Sequence, residues 1–393
     1  MPSGHESFIY DFIGERVMKR IKKPRVFCFL VQLVLVSTLL CANGAKDVTA
    51  AIEKPLIGVS IWSDSDPLST EVISNLRFAA SVLDTEIAVT VDGFKPEVQI
   101  TNVENLIARG CNGIIICNCT DAVVPKLVKI CEEAKVPLAL YFRKINDPEI
   151  KKYAESSPYF LGTCSEDEVA VGYSLGTVLA KKGCKNAILI NYNKGDTTAE
   201  ARAVGYRKAF SENNINLIGE QWDILTAEKS ADAVQSFLAA FPEIDAIAIG
   251  GGGGEPMTGA IRVVKNHGKI GKIQITGSDF GLDIEQNLER QEVSAMSGGH
   301  WTDPFFVYML MYNYLIGTPL KTDGPGNLVM EPLYLSSVQD AKDYQTWCLD
   351  DHPYNAEEIK NMVKKYNTGF SFEDLQKIAS SYSLQNVMNR HKK

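Results

Sequence analysis

Five consecutive glycines, Gly250 to Gly254, stand between the apolar run DAIAI and a helix-like run that begins at Glu255. Backbone amides at such a junction can cradle phosphate. The spacing here does not support that use. Gly254 and Gly259 match the two glycines of GxxxxGK[ST], but Ala260 and Ile261 stand where a lysine and a hydroxyl residue are required. GxGxxG fails from either start: Gly250 puts Glu255 at the third glycine, and Gly254 puts Pro256 at the second. Asp279 ends the next apolar run, roughly where a ribose-binding acid would fall, so a nucleotide-dependent enzyme stays as an alternative. Other catalytic constellations are thin. His267, His300, His352 and His391 are the histidines after the first 45 residues, and neither GxSxG nor HExxH occurs. Asp350 and Asp351 lie in a polar tail and read as solvated. The triplet Cys117-Asn118-Cys119 has no matching CxxC or histidine pair, so it reads as small residues at a strand end. No catalytic residue, metal or cofactor is expected, and the chain reads as a binder, not an enzyme.

Residues of this kind need a scaffold, and the sequence predicts one. From Lys54 onward, short apolar runs alternate with helix-like segments: LIGVSI, EIAVTV, GIIIC and VPLALYF form one set. YFLGT, NAILIN, INLIGEQW, DAIAIG and KIQITGSDF form a second. The runs are almost continuously apolar, as parallel strands buried on both faces are. The expected fold is α/β: two doubly wound parallel-sheet lobes joined by a multi-strand hinge, with a helical C-terminal extension. The expected divisions are residues 54–147 plus 281–320 for the N-terminal lobe and 148–280 plus 321–336 for the C-terminal lobe, with crossings near 143–148, 280 and 320. Residues 337–393 are polar and helix-rich, with Asn355 and Ser371 as N-caps, and read as a coat packed on one lobe. Two lobes around a cleft are a ligand-closing design.

Residues 1–45 read as an export signal: MKRIKKPR is basic, Val26–Cys41 is apolar, and small residues follow. Sixteen apolar residues are short for a membrane span. The first 17 residues precede the charged region, so Met18 is the expected start. Two processing readings stay open. Cys41 ends the apolar run where a lipidated cysteine would sit, but Leu40 is large for the preceding position; cleavage after Gly44 or Ala45 competes. The chain is therefore placed outside the cytoplasm, in a periplasm or on the outer face of the cytoplasmic membrane, touching membrane only through a lipid anchor. Loss of residues 1–41 shifts the net charge from −8 to −11, which disfavours a nucleic-acid partner. Seven cysteines remain, an odd number that gives no clean disulfide framework.

Longer stretches carry a family resemblance. NLIARGCNGIIICNCTDAVVPKLVKICEEAKVPLALYFRK, YFLGTCSEDEVAVGYSLGTVLAKKG, TTAEARAVGYRKAF and ITGSDF resemble the type I periplasmic sugar-binding proteins, the ribose- and galactose-binding group that serves ABC importers. The resemblance runs from about Pro55 to Ile316. It implies that Arg143 and Arg202 clamp sugar hydroxyls and that Asp279 accepts hydrogen bonds from them; forked guanidinium and carboxylate groups suit vicinal hydroxyls. It also implies an ABC permease as partner, with a sensor kinase or chemoreceptor as the alternative. Trp62, Ser63 and Asp64 in the first loop, Asp121, Gly251 and Gly252, and His300 and Trp301 complete the expected ligand-binding set. Trp62 and Trp301 could stack on a sugar's apolar face. The sequence departs from the family at Phe142, where an acid usually precedes the arginine, and at Gly250–Gly254, where Asn-Asp is usual.

Overall fold

A computed structural model describes residues 51–392 apart from Gly253 and Leu282. The export signal, the Met18 start and the Cys41 lipidation site lie outside the described residues. In chain order the elements are β1 (Leu56–Ile61), α1 (Pro67–Val82), β2 (Glu86–Val91), α2 (Pro96–Ala108), β3 (Gly113–Ile116), α3 (Val124–Ala134), β4 (Leu138–Phe142), α4 (Pro148–Ser156) and β5 (Phe160–Glu166). Then follow α5 (Glu168–Lys181), β6 (Asn186–Ile190), α6 (Thr197–Glu212), β7 (Asn216–Gln221), α7 (Ala227–Ala240), β8 (Ala246–Ile249), α8 (Glu255–Asn266), β9 (Gln274–Ser278), α9 (Ile284–Glu289) and β10 (Ala295–Gly298). The rest is α10 (Asp303–Leu315), β11 (Leu328–Met330), β12 (Leu333–Leu335), α11 (Val338–Tyr344), α12 (Ala356–Asn361), α13 (Phe372–Ser380) and α14 (Leu384–His391).

The strands form two six-stranded sheets of matching order, β11-β5-β4-β3-β1-β2 and β12-β10-β9-β8-β6-β7. All pairings are parallel except β12 against β10. β3 and β8 are buried at every position, because helices cover both faces of each sheet. Helices start where the sequence supplies a cap. Asp66, Asp147, Asp167 and Asp196 each accept backbone N–H bonds, and proline opens α1, α2 and α4, where its missing donor costs nothing.

The lobes exchange chain at three places, none where the sequence put it. β5 pairs with β4 and stays in the first sheet, so the first crossing falls between Glu166 and Glu168 instead of near 143–148. β10 pairs with β9 in the second sheet, which moves the next crossing from 280 to Gly299–Asp303. The third lies between β11 and β12, at 331–332, instead of near 320. The reason is not local: YFLGTCSE and AMSG are rich in small residues, and their sheet is decided by the strands that pair with them, β4 and β9.

The C-terminal helices touch both lobes, not one. On the second lobe, Phe280 packs edge-on against Tyr344, and Lys342 approaches Glu285 at 3.8 Å. On the first, His352 stacks on Phe78, Tyr354 stacks on Phe305, and Gln376 bonds both backbone groups of Val329. Asn355 and Ser371 form capping boxes with Glu358 and Asp374. The seven cysteines after Cys41 are free thiols, six of them buried, and burial pushes Cys117 and Cys131 up to about 12. Among the described residues no helix is long and apolar enough to cross a membrane.

Candidate functional site

The two sheets turn their C-terminal strand ends toward the same junction, where ligands of doubly wound folds bind. The fourth strand from each outer edge opposite the extension is used alike. β4 ends at Phe142 with φ +66°, and the residue after β9, Asp279, has φ +72°. A left-handed conformation in a non-glycine residue costs on the order of 1–3 kcal/mol and recurs where a side chain must be aimed.

On the first lobe this aiming builds an aromatic edge. Trp62 stacks on Phe94 at 5.6 Å and tilts against Phe142 at 5.5 Å. Phe94 is placed by Asp92, which accepts from the Phe94 N–H at 2.8 Å and from Ser60 Oγ at 2.8 Å. The Arg143 guanidinium lies 5.3 Å from the Phe94 ring centre, and its Nη1 donates to Asp196 Oδ2 across the junction at 2.7 Å. Asp121 does not join this edge. Its Oδ2 accepts from the N–H groups of Asn146 and Asp147, at 2.8 and 2.9 Å, and so pins the loop that carries Arg143. Ser63 accepts from the Ser65 and Asp66 backbone, and Asp64 is exposed.

The second lobe builds a charged edge. α5 and α6 pack closely because Gly172 leaves room: a Cβ there would lie 2.0 Å from the Arg202 carbonyl oxygen. That approach puts Arg202 against Glu168 in the first turn of α5. Nε donates to Oε2 at 2.6 Å and Nη2 to Oε1 at 3.1 Å, a bidentate pair. Arg202 Nη1 donates to the Gly250 carbonyl at 3.0 Å, and the Gly252 N–H donates to Asp279 Oδ2 at 3.0 Å. The glycine loop thus holds the arginine and the aspartate with its backbone. Gly251 has φ +130°, and a Cβ on it would sit 2.7 Å from Arg202 Nη1, so a side chain would displace the guanidinium.

The crossings close the site from behind. His300 is buried, edge-on to Phe142 at 5.1 Å, with Nε2 3.6 Å from Asp279 Oδ1 and Nδ1 4.0 Å from Glu166 Oε1. Burial lowers its pKa against the pull of Asp279, so the ring is neutral at neutral pH. Glu166 is 5% exposed, and burial, then Glu168 and Asp303, raise its pKa well above the carboxylate range. Asp303 is wholly buried and shifted the same way by burial and Glu168, although the Phe142 amide lies close enough to favour its charged form. Trp301 leaves the site: it is buried, and Nε1 donates to Tyr344 Oη at 3.0 Å beneath the C-terminal helices. A small pocket of about 10 Å³, one water molecule's worth, lies beside these residues and is lined in part by Phe142, Glu166, Glu168 and Thr198.

The structure therefore brings together Trp62, Arg143, Arg202, Gly251, Gly252, Asp279 and His300. Sequence reasoning passed over Asp196, Glu168, Glu166, Asp303 and Phe94. Asp196 and Glu168 carry the ordinary signal of helix N-terminal acids, which hides their second use.

The comparisons with known proteins bear on the two-lobed fold. The model of the periplasmic binding protein domain matches residues 57–317. The ribose import binding protein RbsB of Salmonella typhimurium is 26% identical over 270 residues, 68% of this chain and 84% of that protein. The ABC transporter periplasmic-binding protein YphF of Escherichia coli is 25% identical over 271 residues, 66% of this chain and 79% of its own. Among solved structures, a periplasmic sugar-binding protein from Pseudomonas fluorescens superposes with TM-score 0.69 at 13% identity, covering 86% of this chain and all of that one. An ABC transporter periplasmic solute binding protein from Actinobacillus succinogenes, with bound D-allose, superposes with TM-score 0.65 at 19% identity, over 74% of this chain and all of that one. With a family model spanning both lobes and the same two-sheet architecture in its neighbours, the chain belongs to the periplasmic binding proteins.

Proposed function

We propose that this protein captures a small polyhydroxylated ligand, a sugar, between its lobes outside the cytoplasm and delivers it to the permease of an ABC importer. The observation that carries the reading is that Arg143 reaches Asp196 across the junction, while Trp62, through Phe142 and His300, is joined to Asp279 and Arg202 on the other lobe. An aromatic face opposite forked polar groups suits a ring with one apolar side and hydroxyls around its rim. The relatives support it by name: one is a ribose import binding protein, and one neighbour holds D-allose. In this reading the sugar's hydroxyls replace Asp196 as the partner of Arg143, and the lobes close over them. The chemistry is binding, with no bond made or broken.

A thermal-shift screen with monosaccharides, nucleosides and NAD tests the reading. A sugar at a hundred times its Kd should raise stability by about 2.7 kcal/mol. Arg143→Ala should abolish that shift and leave the fold intact. Stabilisation by NAD with none by sugars overturns the reading, and unchanged affinity in the variant removes Arg143 from the site.

A further inference from the structure

Five carboxyl groups and two guanidinium groups meet at the lobe junction. Both guanidinium groups are matched within the protein: Asp196 takes Arg143, and Glu168 takes Arg202 through two bonds. Asp279 receives the Gly252 N–H. Glu166 and Asp303 are left differently. Glu166 Oε1 and both Asp303 oxygens are buried with no hydrogen-bond partner of normal geometry. Glu166 is nonetheless aimed into the site, with Oε1 4.0 Å from His300 Nδ1 and Oε2 4.0 Å from Arg202 Nη2.

Buried acceptors without donors are costly, on the order of 1–3 kcal/mol each. A ring hydroxyl can donate once to Glu166 but carries no charge to balance the carboxyl groups of Glu168, Asp279 and Asp303 gathered around it. An ammonium group brings three donors, no acceptor and a full positive charge. We propose that the ligand is a polyhydroxylated ring bearing a protonated primary amine, an amino sugar or aminocyclitol, whose ammonium is received by Glu166 beside Asp279. The proposal rests on the polyol reading above and narrows it. The N-terminal lobe offers the complementary surface, since the Trp62, Phe94 and Phe142 rings can cover the ring's apolar face.

The groups facing Glu166 are Cys164, Glu168, Arg202, Asp279, His300, Asp303 and Tyr334. Burial among these acids raises the Glu166 pKa and so favours its protonated form in the empty site. Ligand–NH3+ and Glu166–COOH therefore give the ion pair –NH3+···−OOC– and one proton released to buffer.

Calorimetric titration of the full chain at pH 7 decides the matter, with glucosamine, galactosamine and mannosamine set against glucose, galactose and mannose. At least one amine should bind about tenfold or more tightly than its neutral parent. Its heat should differ between buffers of different ionisation enthalpy by the amount expected for about one proton released. Glu166→Gln should cut the amine's preference over its neutral parent about tenfold. A parent that binds as tightly as its amine overturns the amine proposal and leaves the polyol reading standing. Heats that do not depend on buffer overturn it on the unmodified chain, whatever the variant's folding. Binding by none of the six also overturns it, and the polyol reading then falls only if the wider thermal screen is negative as well.

Discussion

Arg143 and Arg202 end in the same junction but are held in opposite ways. Arg202 is fixed inside its own lobe by Glu168 on a neighbouring helix and by the Gly250 carbonyl. Arg143 lies against aromatic rings of the first lobe and finds its carboxylate, Asp196, on the second. Parting the lobes leaves the first pair whole and breaks the second. One arginine is thus a fixed wall of the cleft, and the other is a latch that joins the two lobes. A guanidinium group tolerates both roles because its five donors are rigidly forked and never lose their charge.

Variants can break this contrast, and the largest effect belongs to the fixed pair. Glu168→Ala strands a buried guanidinium and should cost about 3–5 kcal/mol in urea unfolding. A loss near that for a surface pair would show that Arg202 is not held as described. Breaking the latch with Asp196→Asn should cost only about 1 kcal/mol of stability, because both side chains keep some solvent contact, at 18% and 11% exposure. It should also widen the cleft in solution scattering. The Glu166 carboxyl sharpens the picture from behind. Its folded pKa is raised by burial, so its contribution to stability is complete at pH below the ordinary Glu value and is lost as pH climbs toward the folded pKa. Glu166→Gln should remove a downward slope of up to about 1.4 kcal/mol per pH unit across that window, and stability profiles of equal slope would refute it. On the aromatic side, Trp62→Ala should weaken sugar binding by about 1 kcal/mol, roughly fivefold, with little change in folding. The smallest effect is expected at Asp64→Asn, within about 0.5 kcal/mol in stability and affinity, because the carboxyl is exposed.

The sheets were legible because buried parallel strands are apolar at every position, as GIII and AIAI are. The crossings were not. AMSG has no β-branched residue and owes its strand to β9 and β12, which lie far away in sequence. Arg143, Arg202, Asp279 and His300 were found through motifs, and they converge. Asp196 and Glu168 were missed because a helix N-cap and a first-turn acid explain themselves locally, and only the packing of α5 on α6 and of one lobe on the other shows what else they hold. Trp301 went astray for the opposite reason. Its indole N–H needs a buried acceptor, and the C-terminal helices supply one in Tyr344. The glycine run, whose spacing fits no phosphate cradle, clamps Arg202 and Asp279 through the backbone of Gly250 and Gly252.

The helices after residue 337 lie on α9 and Phe280 of one lobe and on α1, α10 and β11 of the other, with Tyr344 seated on Trp301 at a crossing. A hinge with three short crossings swings freely when nothing spans it. Here any change in the angle between the lobes would have to drag or peel a second set of contacts, so the extension stiffens the junction from outside, as a brace across a joint does.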